Sequence, residues 1–259
     1  MTTADHESGL KARLRAGALT VGTFLKTPHP GVAEILARSA LDVVCLDAEH
    51  APFDRGDVDA GVAMLRAGGM PSLVRVPSAE PARLLSALDS GATGVLVPHI
   101  RSAADAEAAA RAAHFGPGGR GYAGSTRAAG FAGRPIAEHL ATSRARTVVI
   151  GQIEDAEALD DLDAIMAVDG LDAVFVGRID LTVSLGATRP DAPEVVAAVE
   201  TIMATARAAG RTVGMFTPTV EEALAWREKG ARLFLLGSDQ NFLMSGAAGL
   251  AAAFAHAKP

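Results

Sequence analysis

Asp42-Val43-Val44-Cys45-Leu46-Asp47-Ala48-Glu49-His50-Ala51-Pro52 is a stretch in which an apolar run stops abruptly at two acids, an imidazole and a proline. Asp42 to Leu46 has the composition of a strand buried on both faces, which is the mark of a parallel sheet covered by helices. The residues after Leu46 are too polar for a core and mark the rim. In parallel α/β proteins the rim at the carboxyl ends of the strands is where sites are assembled.

Moving outward from this element, the same alternation recurs. We expect strands over Thr20 to Phe24, Asp42 to Leu46, Ser72 to Val76, Gly94 to Val97, Thr147 to Ile153, Ala173 to Val176, Thr212 to Met215 and Leu233 to Leu236. Alanine-rich amphipathic segments separate them, and predict helices over His29 to Ser39, Asp57 to Ala67, Pro81 to Asp89, Ala103 to His114, Ala156 to Ala167, Pro193 to Ala209, Val220 to Glu228 and Asp239 to His256. Eight βα units over residues 1–259 predict one (β/α)8 TIM barrel domain. The rival, a doubly wound open sheet, requires a glycine-rich first turn that is missing. Two segments break the rhythm, Gly116 to Arg146 and Thr182 to Pro193. The first contains Gly116-Pro117-Gly118-Gly119-Arg120-Gly121, but follows a helix rather than a strand, so we read it as a lid or subunit-contact loop instead of a dinucleotide site.

Composition narrows the function classes. A content of 49% apolar but only 4% aromatic residues, with 27 glycines, suits Ala, Val, Leu and Ile layers between many turns. A net charge of −6, without a basic cluster, argues against nucleic-acid and anionic-membrane partners. No apolar run approaches the roughly 20 residues that span a bilayer, and Met1 to Leu10 is polar rather than signal-like. The expectation is a cytoplasmic protein. Cys45, the one cysteine, excludes internal disulfides and reads as a small buried apolar residue.

If the barrel holds, strand ends converge. The second strand then presents Asp47, Glu49 and His50, the third Arg75, the fifth Gln152 and Glu154, and the sixth Gly177 to Leu181. Glu154 and Asp180 together make a sparse oxygen site suited to Mg²⁺ or Mn²⁺, although each alone reads equally as a helix N-cap. His50 beside Asp47 has the make-up of a proton-transfer pair, its ring oriented by the carboxylate. Arg75 inside an apolar strand requires an anionic partner, either an acid on a neighbouring strand or a substrate carboxylate or enolate.

The elements Asp47-x-Glu49-His50-Ala51-Pro52, Val74-Arg75-Val76, Leu88-Asp89-x-Gly91-Ala92-x-Gly94-x-Leu96-Val97-Pro98, Gln152-Ile153-Glu154 and Phe175-Val176-Gly177-x-x-Asp180-Leu181 resemble the HpcH/HpaI aldolases, class II pyruvate aldolases of the phosphoenolpyruvate/pyruvate barrel superfamily. The resemblance runs from about Gly22 to Gly237. It implies reversible cleavage of a 4-hydroxy-2-oxo acid to pyruvate or hydroxypyruvate and an aldehyde, through an enolate. It further implies a divalent metal (Mg²⁺, Mn²⁺ or Co²⁺) on Glu154 and Asp180, and His50 as base with Asp47 behind it. Arg75 would sit at the oxo oxygen, and Gln152, Ser125 with Thr126, and Asp180 would contact the substrate; Glu49 has a supporting role. The resemblance implies a homo-oligomer, commonly a hexamer built as a trimer of dimers with the last helix exchanged, and the apolar tail Ala247 to Ala257 suits that.

This chain departs from many relatives at Arg178 and His99, which replace proline and methionine, and at Phe24-Leu25-Lys26-Thr27. Arg178 is read either as recognising an acidic aldehyde tail or as facing another subunit. Lys26 opens a Schiff-base mechanism as a rival. A hydroxyacyl-CoA lyase, an oxo-acid hydrolase and a non-catalytic oxo-acid-binding barrel are the alternative functions.

Overall fold

Runs of β-branched and aliphatic residues too apolar for a surface must be covered on both faces, and a parallel sheet flanked by helices does this. In a computed structural model, which describes residues 3–255, the eight runs close into a barrel of parallel strands in sequence order. They are β1 (Thr20–Leu25), β2 (Val43–Asp47), β3 (Ser72–Arg75), β4 (Gly94–Val97), β5 (Val148–Ile153), β6 (Ala173–Val176), β7 (Thr212–Thr217) and β8 (Leu233–Ser238). Pairing of β1 with β8 completes the circle and excludes the open sheet.

The helices are α1 (Thr3–Arg15), α2 (Pro30–Ala37), α3 (Arg55–Ala67), α4 (Pro81–Asp89), α5 (Ala103–Ala113), α6 (Ile136–Arg146), α7 (Leu162–Ala167), α8 (Arg178–Ser184), α9 (Pro193–Ala208), α10 (Val220–Lys229) and α11 (Asp239–Ala253). Local chemistry sets several starts: Asp54 and Asp57 form a reciprocal capping box on α3, and Ser102, Thr219 and Ser238 cap α5, α10 and α11. The helix expected over Ala156 to Ala167 is instead a 3-10 turn, Ala156–Asp160, followed by α7. Asp161 lies at the break, where its carboxylate accepts the Ala103 N–H at 2.7 Å. Three helices, α1, α6 and α8, are additional to the expected set. His256 and Ala257 of the expected last helix and tail, and Met1 and Thr2 of the N-terminus, lie outside the described residues. No helix among the described residues is long and apolar enough to cross a membrane.

Two cores arise from the period of two along each strand. Val44, Leu46, Val74, Val95, Val149, Val174 and Val213 face outward against the helices. Val43, Cys45, Leu73, Leu96, Val148, Ile150, Phe175, Leu233 and Leu235 fill the interior, with Leu10 and Leu14 of α1 packed into the same cluster. Cys45 is buried as expected, and burial pushes its thiol well above the ordinary range. Asp172, just before β6, ties α1 to this end of the barrel: its side chain is fully buried, with Arg15 Nε at 2.9 Å, Lys11 Nζ at 3.2 Å and the Val149 N–H at 3.0 Å.

A candidate active site at the carboxyl ends of the strands

The alternation that builds the interior also places the polar cluster. Continuing the inward series Val43 and Cys45 gives Asp47; continuing Leu73 gives Arg75; continuing Val148 and Ile150 gives Gln152 and then Glu154. These side chains therefore converge on the barrel axis where the apolar layers end. Lys26 continues from Phe24 in the same way. Phe24, Lys26, His50, Arg75, Gln152 and Asp180 are among the residues lining a cavity of about 720 Å³.

Asp47 and Arg75 stand opposite each other in the β2–β3 register. The guanidinium donates twice to the carboxylate, Nε to Oδ1 at 3.0 Å and Nη2 to Oδ2 at 2.9 Å, in the fork geometry that arginine is built for. Arg75 also stacks over the Phe24 ring, 4.5 Å from its centroid. Burial by itself would raise the Asp47 carboxyl, but Arg75, the His50 N–H and Lys26 outweigh it and hold the group below the usual range. Arg75 thus has the neighbouring strand's acid as a partner, and its guanidinium also borders the cavity.

The contact between Asp47 and His50 takes a different form from the one expected. Asp47 Oδ1 accepts the backbone N–H of His50 at 3.1 Å. The exposed imidazole has its Nε2 3.7 Å from Glu49 Oε2, so the acid beside the ring is Glu49. Glu49 thus occupies the place expected of Asp47, because the two oxygens of Asp47 are already taken by Arg75.

Glu49, His99 and Glu154 offer ligand atoms that all lie within 4.8 Å of one another. Glu154 is 2% exposed and accepts the His99 N–H at 2.9 Å and a hydrogen bond from Gln152 Nε2. Burial, with the nearby charge of Asp180, pushes its carboxyl above the usual range against those two hydrogen bonds. Burial raises Glu49 as well, aided by the charge of Glu154 and opposed by Arg75 and the two histidines. Glu49 Oε2 accepts no hydrogen bond although Arg75 Nε is 3.3 Å away, and Gln152 Oε1, buried at the cavity wall, has no partner. Space for Glu154 depends on Gly177, where an added Cβ would lie 2.5 Å from Glu154 Oε2.

Unmatched charge acts beside burial in this cluster. Asp47, Glu49, Glu154 and Asp180 bring four negative charges, and Lys26 and Arg75 bring two positive ones. Arg178 is cancelled by its ion pair with Glu222, and Asp155 by Arg101 at 3.3 Å. Leaving the imidazoles aside, carboxylates outnumber cations by two here, and oxygens with an adjacent imidazole are a donor set suited to one divalent cation.

His99 was not foreseen as part of this group. Its backbone has φ 55°, a left-handed conformation in which histidine is tolerated, and this turns its N–H toward Glu154. Its ring Nδ1 lies 3.0 Å from Asp155 and 3.5 Å from Glu154; burial would lower the imidazole, but these acids hold it above the ordinary value. Asp180 is exposed in the first turn of α8, whose N-cap is Gly177 without any side-chain cap. Glu154 likewise precedes the 3-10 turn, so neither acid is an N-cap.

Ser125 and Thr126 are not brought to this cavity within the chain. Their segment, read as a lid or subunit-contact loop, is tied to the outer helices by Arg120 to Asp89 of α4 and Arg127 to Asp59 of α3. Arg178, paired with Glu222 and 5.9 Å from the Trp226 ring, has its charge satisfied within the chain. Lys26 Nζ lies 3.4 Å from Asp47 Oδ2, an ion pair rather than the apolar pocket that activates a Schiff-base lysine.

The model of the HpcH/HpaI aldolase/citrate lyase family matches residues 20–245. The chain is 35% identical over 251 residues to a hydroxypyruvate/pyruvate aldolase of Pseudomonas aeruginosa, covering 96% of this chain and 93% of that protein. It is 34% identical to a 4-hydroxy-2-oxo-heptane-1,7-dioate aldolase of Salmonella typhimurium, covering 96% and 95% of the two. Its fold superposes with a TM-score of 0.89 on the crystal structure of an HpcH/HpaI aldolase/citrate lyase family protein from Burkholderia cenocepacia, with 36% identity over 94% of this chain and 97% of that one.

Proposed function

Because the chain belongs to the HpcH/HpaI aldolase/citrate lyase family, we propose that the rim cluster is its active site and that it cleaves 4-hydroxy-2-oxo acids, reversibly, to pyruvate or hydroxypyruvate and an aldehyde. The protein is a carbon–carbon lyase. The observation that carries the site assignment is the charge-deficient set of Glu49, Glu154, His99 and Asp180 beside the saturated Asp47–Arg75 pair.

Glu154 and Asp180, which line the same rim, would hold a divalent ion (Mg²⁺, Mn²⁺ or Co²⁺), and Glu49 and His99, clustered with Glu154, would be within reach of it. Such an ion supplies Lewis-acid polarisation of the oxo group. Arg75 faces the same oxygen and stabilises the negative charge that grows there, so its effect falls on the transition state. In the cleavage direction His50 Nε2 takes the proton of the 4-hydroxyl. The C3–C4 bond then breaks, its electron pair moves to the 2-oxo oxygen as the enolate, and the aldehyde leaves. His50 returns the proton to C3. Glu49 stabilises the imidazolium, and Asp47 holds the His50 backbone in place. Gln152 Oε1, otherwise unpartnered, accepts from a substrate hydroxyl or a water.

The aldehyde is a small uncharged one. Phe24, Phe175, Phe216, Pro190 and Pro218 form the wall, and both cations at the mouth, Lys26 and Arg178, are engaged by Asp47 and Glu222. The chain works as a homo-oligomer, a hexamer arranged as a trimer of dimers in which α11 is exchanged. Support comes from Leu243, Met244 and Leu250 on α11 and Phe254 at its end, which are 66–72% exposed and need a cover. Native mass spectrometry giving monomers at micromolar concentration would remove that part of the reading.

The decisive experiment is exchange of the pyruvate methyl protons in D₂O, followed by NMR, with stripped protein and with each metal restored. Exchange that requires metal and falls about 10²- to 10⁴-fold in His50→Ala is expected. No exchange with any metal, in protein shown to be folded, would overturn the proposal and favour a binding protein or a lyase acting on another substrate.

A further inference from the structure

The helix α6 is built inside out. Its apolar Ile136 and Leu140 are 62% and 38% exposed, while His139, Thr142, Ser143 and Arg146, at the spacing of one helical face, turn inward. They meet Thr93 and Thr147, the residues before β4 and β5, at the end of the barrel opposite the aldolase site. The space between them is about 60 Å³, room for a few waters or one small oxyanion.

That space is electropositive. Arg120 and Arg134 line it; Arg66 and Arg146, which have further partners of their own, border it. No acidic residue is among the described residues lining it, and Asp89, the nearest acid to Arg120, is consumed in that ion pair. Two buried donors are left over: Arg120 is 6% exposed with its Nε unpartnered, and His139 is 2% exposed with neither ring nitrogen hydrogen-bonded. His139 packs edge-on against Phe115 and Tyr122, at 5.3 and 5.7 Å between ring centroids. Buried polar atoms in native proteins are almost always satisfied, so unpaired donors around a small positive cavity call for an acceptor.

We propose that this cavity binds one tetrahedral oxyanion of the phosphate class, held by Arg120, Arg134, His139 and the hydroxyls of Thr142 and Ser143. The anion fastens α6 and the 116–135 segment to the amino-terminal face of the barrel. Burial and the charges of Arg120 and Arg134 hold the His139 imidazole below its ordinary value, and a bound anion would reverse the second of those causes.

The test uses the full chain stripped of metal, so that phosphate cannot bind at the aldolase centre. Titration with inorganic phosphate, read by calorimetry and by the ring ¹⁵N resonances of His139, should saturate at one anion per chain. Sulfate should compete, and Tm should rise by about 5 °C at a hundredfold excess over Kd. Arg134→Ala and the milder Thr142→Val should each weaken binding at least about tenfold while leaving pyruvate exchange intact. Competition by glycerol phosphate assigns the site to a phosphoryl group, and its absence to the free ion; both support the proposal. No saturable binding, or binding undiminished in both folded variants with His139 resonances unmoved, overturns it.

Discussion

The two ends of this barrel each bury a carboxylate among cations, and they use it oppositely. At the amino-terminal end Asp172 is closed off: Lys11, Arg15 and the Val149 N–H occupy its oxygens, and nothing is left to bind. At the carboxyl-terminal end Asp47 is equally saturated by Arg75, yet Glu49 and Glu154 beside it have fewer cations than charges, and burial, with their mutual repulsion, raises both carboxyls above the usual range. A buried acid with every lone pair used is a fastener. One whose neighbours leave it short of positive charge is a binding site.

This contrast is broken or sharpened most strongly by Glu154→Gln. The side chain is nearly isosteric, so metal retention and pyruvate exchange should fall by about 10³-fold or more. The Tm of the metal-free protein should stay the same or rise, because a buried acid held above its usual range has been removed. A large loss of Tm would mean that Glu154 is a fastener like Asp172. His50→Ala should cost about 10²- to 10⁴-fold in turnover with metal content unchanged by elemental analysis. A loss of metal in that variant would move His50 from proton transfer to ligation.

The converse experiment is Asp172→Asn. The buried Lys11 ammonium and the half-exposed Arg15 guanidinium lose their counter-charge, so stability should fall by about 3 kcal/mol, or about 6–12 °C in Tm, with kcat at low temperature unchanged. A fall in kcat without a fall in Tm would contradict the division between the two ends.

Much of this was readable in the residues, for a physical reason. Strand alternation fixes which side chains point inward, so Asp47, Arg75, Gln152 and Glu154 could be placed at the rim from parity alone. Three things were not readable. His99 joins the acids only because its backbone turns left-handed after Pro98, and one position gives no periodicity to detect. Which acid lies beside the His50 ring depends on which oxygen Arg75 claims, a matter of tenths of an ångström. The helices α1, α6 and α8 escaped for local reasons: Leu10 and Leu14 are the only large apolar residues of α1, α6 turns its polar face inward, and Arg178-Ile179-Asp180 opens α8 directly after a glycine with no capping side chain. The anchoring of the lid or subunit-contact segment on α3 and α4 was equally hidden, because it rests on two arginines whose partners lie 31 and 68 residues away.

Lys11 gives the finest test of the fastener end. Its ammonium is buried, and burial pulls its pKa below 10.5 even against the attraction of Asp172. The unfolded lysine keeps the ordinary value, so between the two values the unfolded chain binds more protons and stability must rise with pH. The gain is complete above the unfolded value and is lost as pH falls through the folded one, which leaves the full cost of the buried charge at neutral pH. Lys11→Met removes this proton from the balance. The difference in Tm between wild type and variant should therefore shift in favour of wild type from about pH 8 to about pH 10. Parallel Tm curves for the two proteins across that range would show that Asp172 holds Lys11 charged at no cost in burial, and that the amino-terminal end is as tightly matched in energy as it is in geometry.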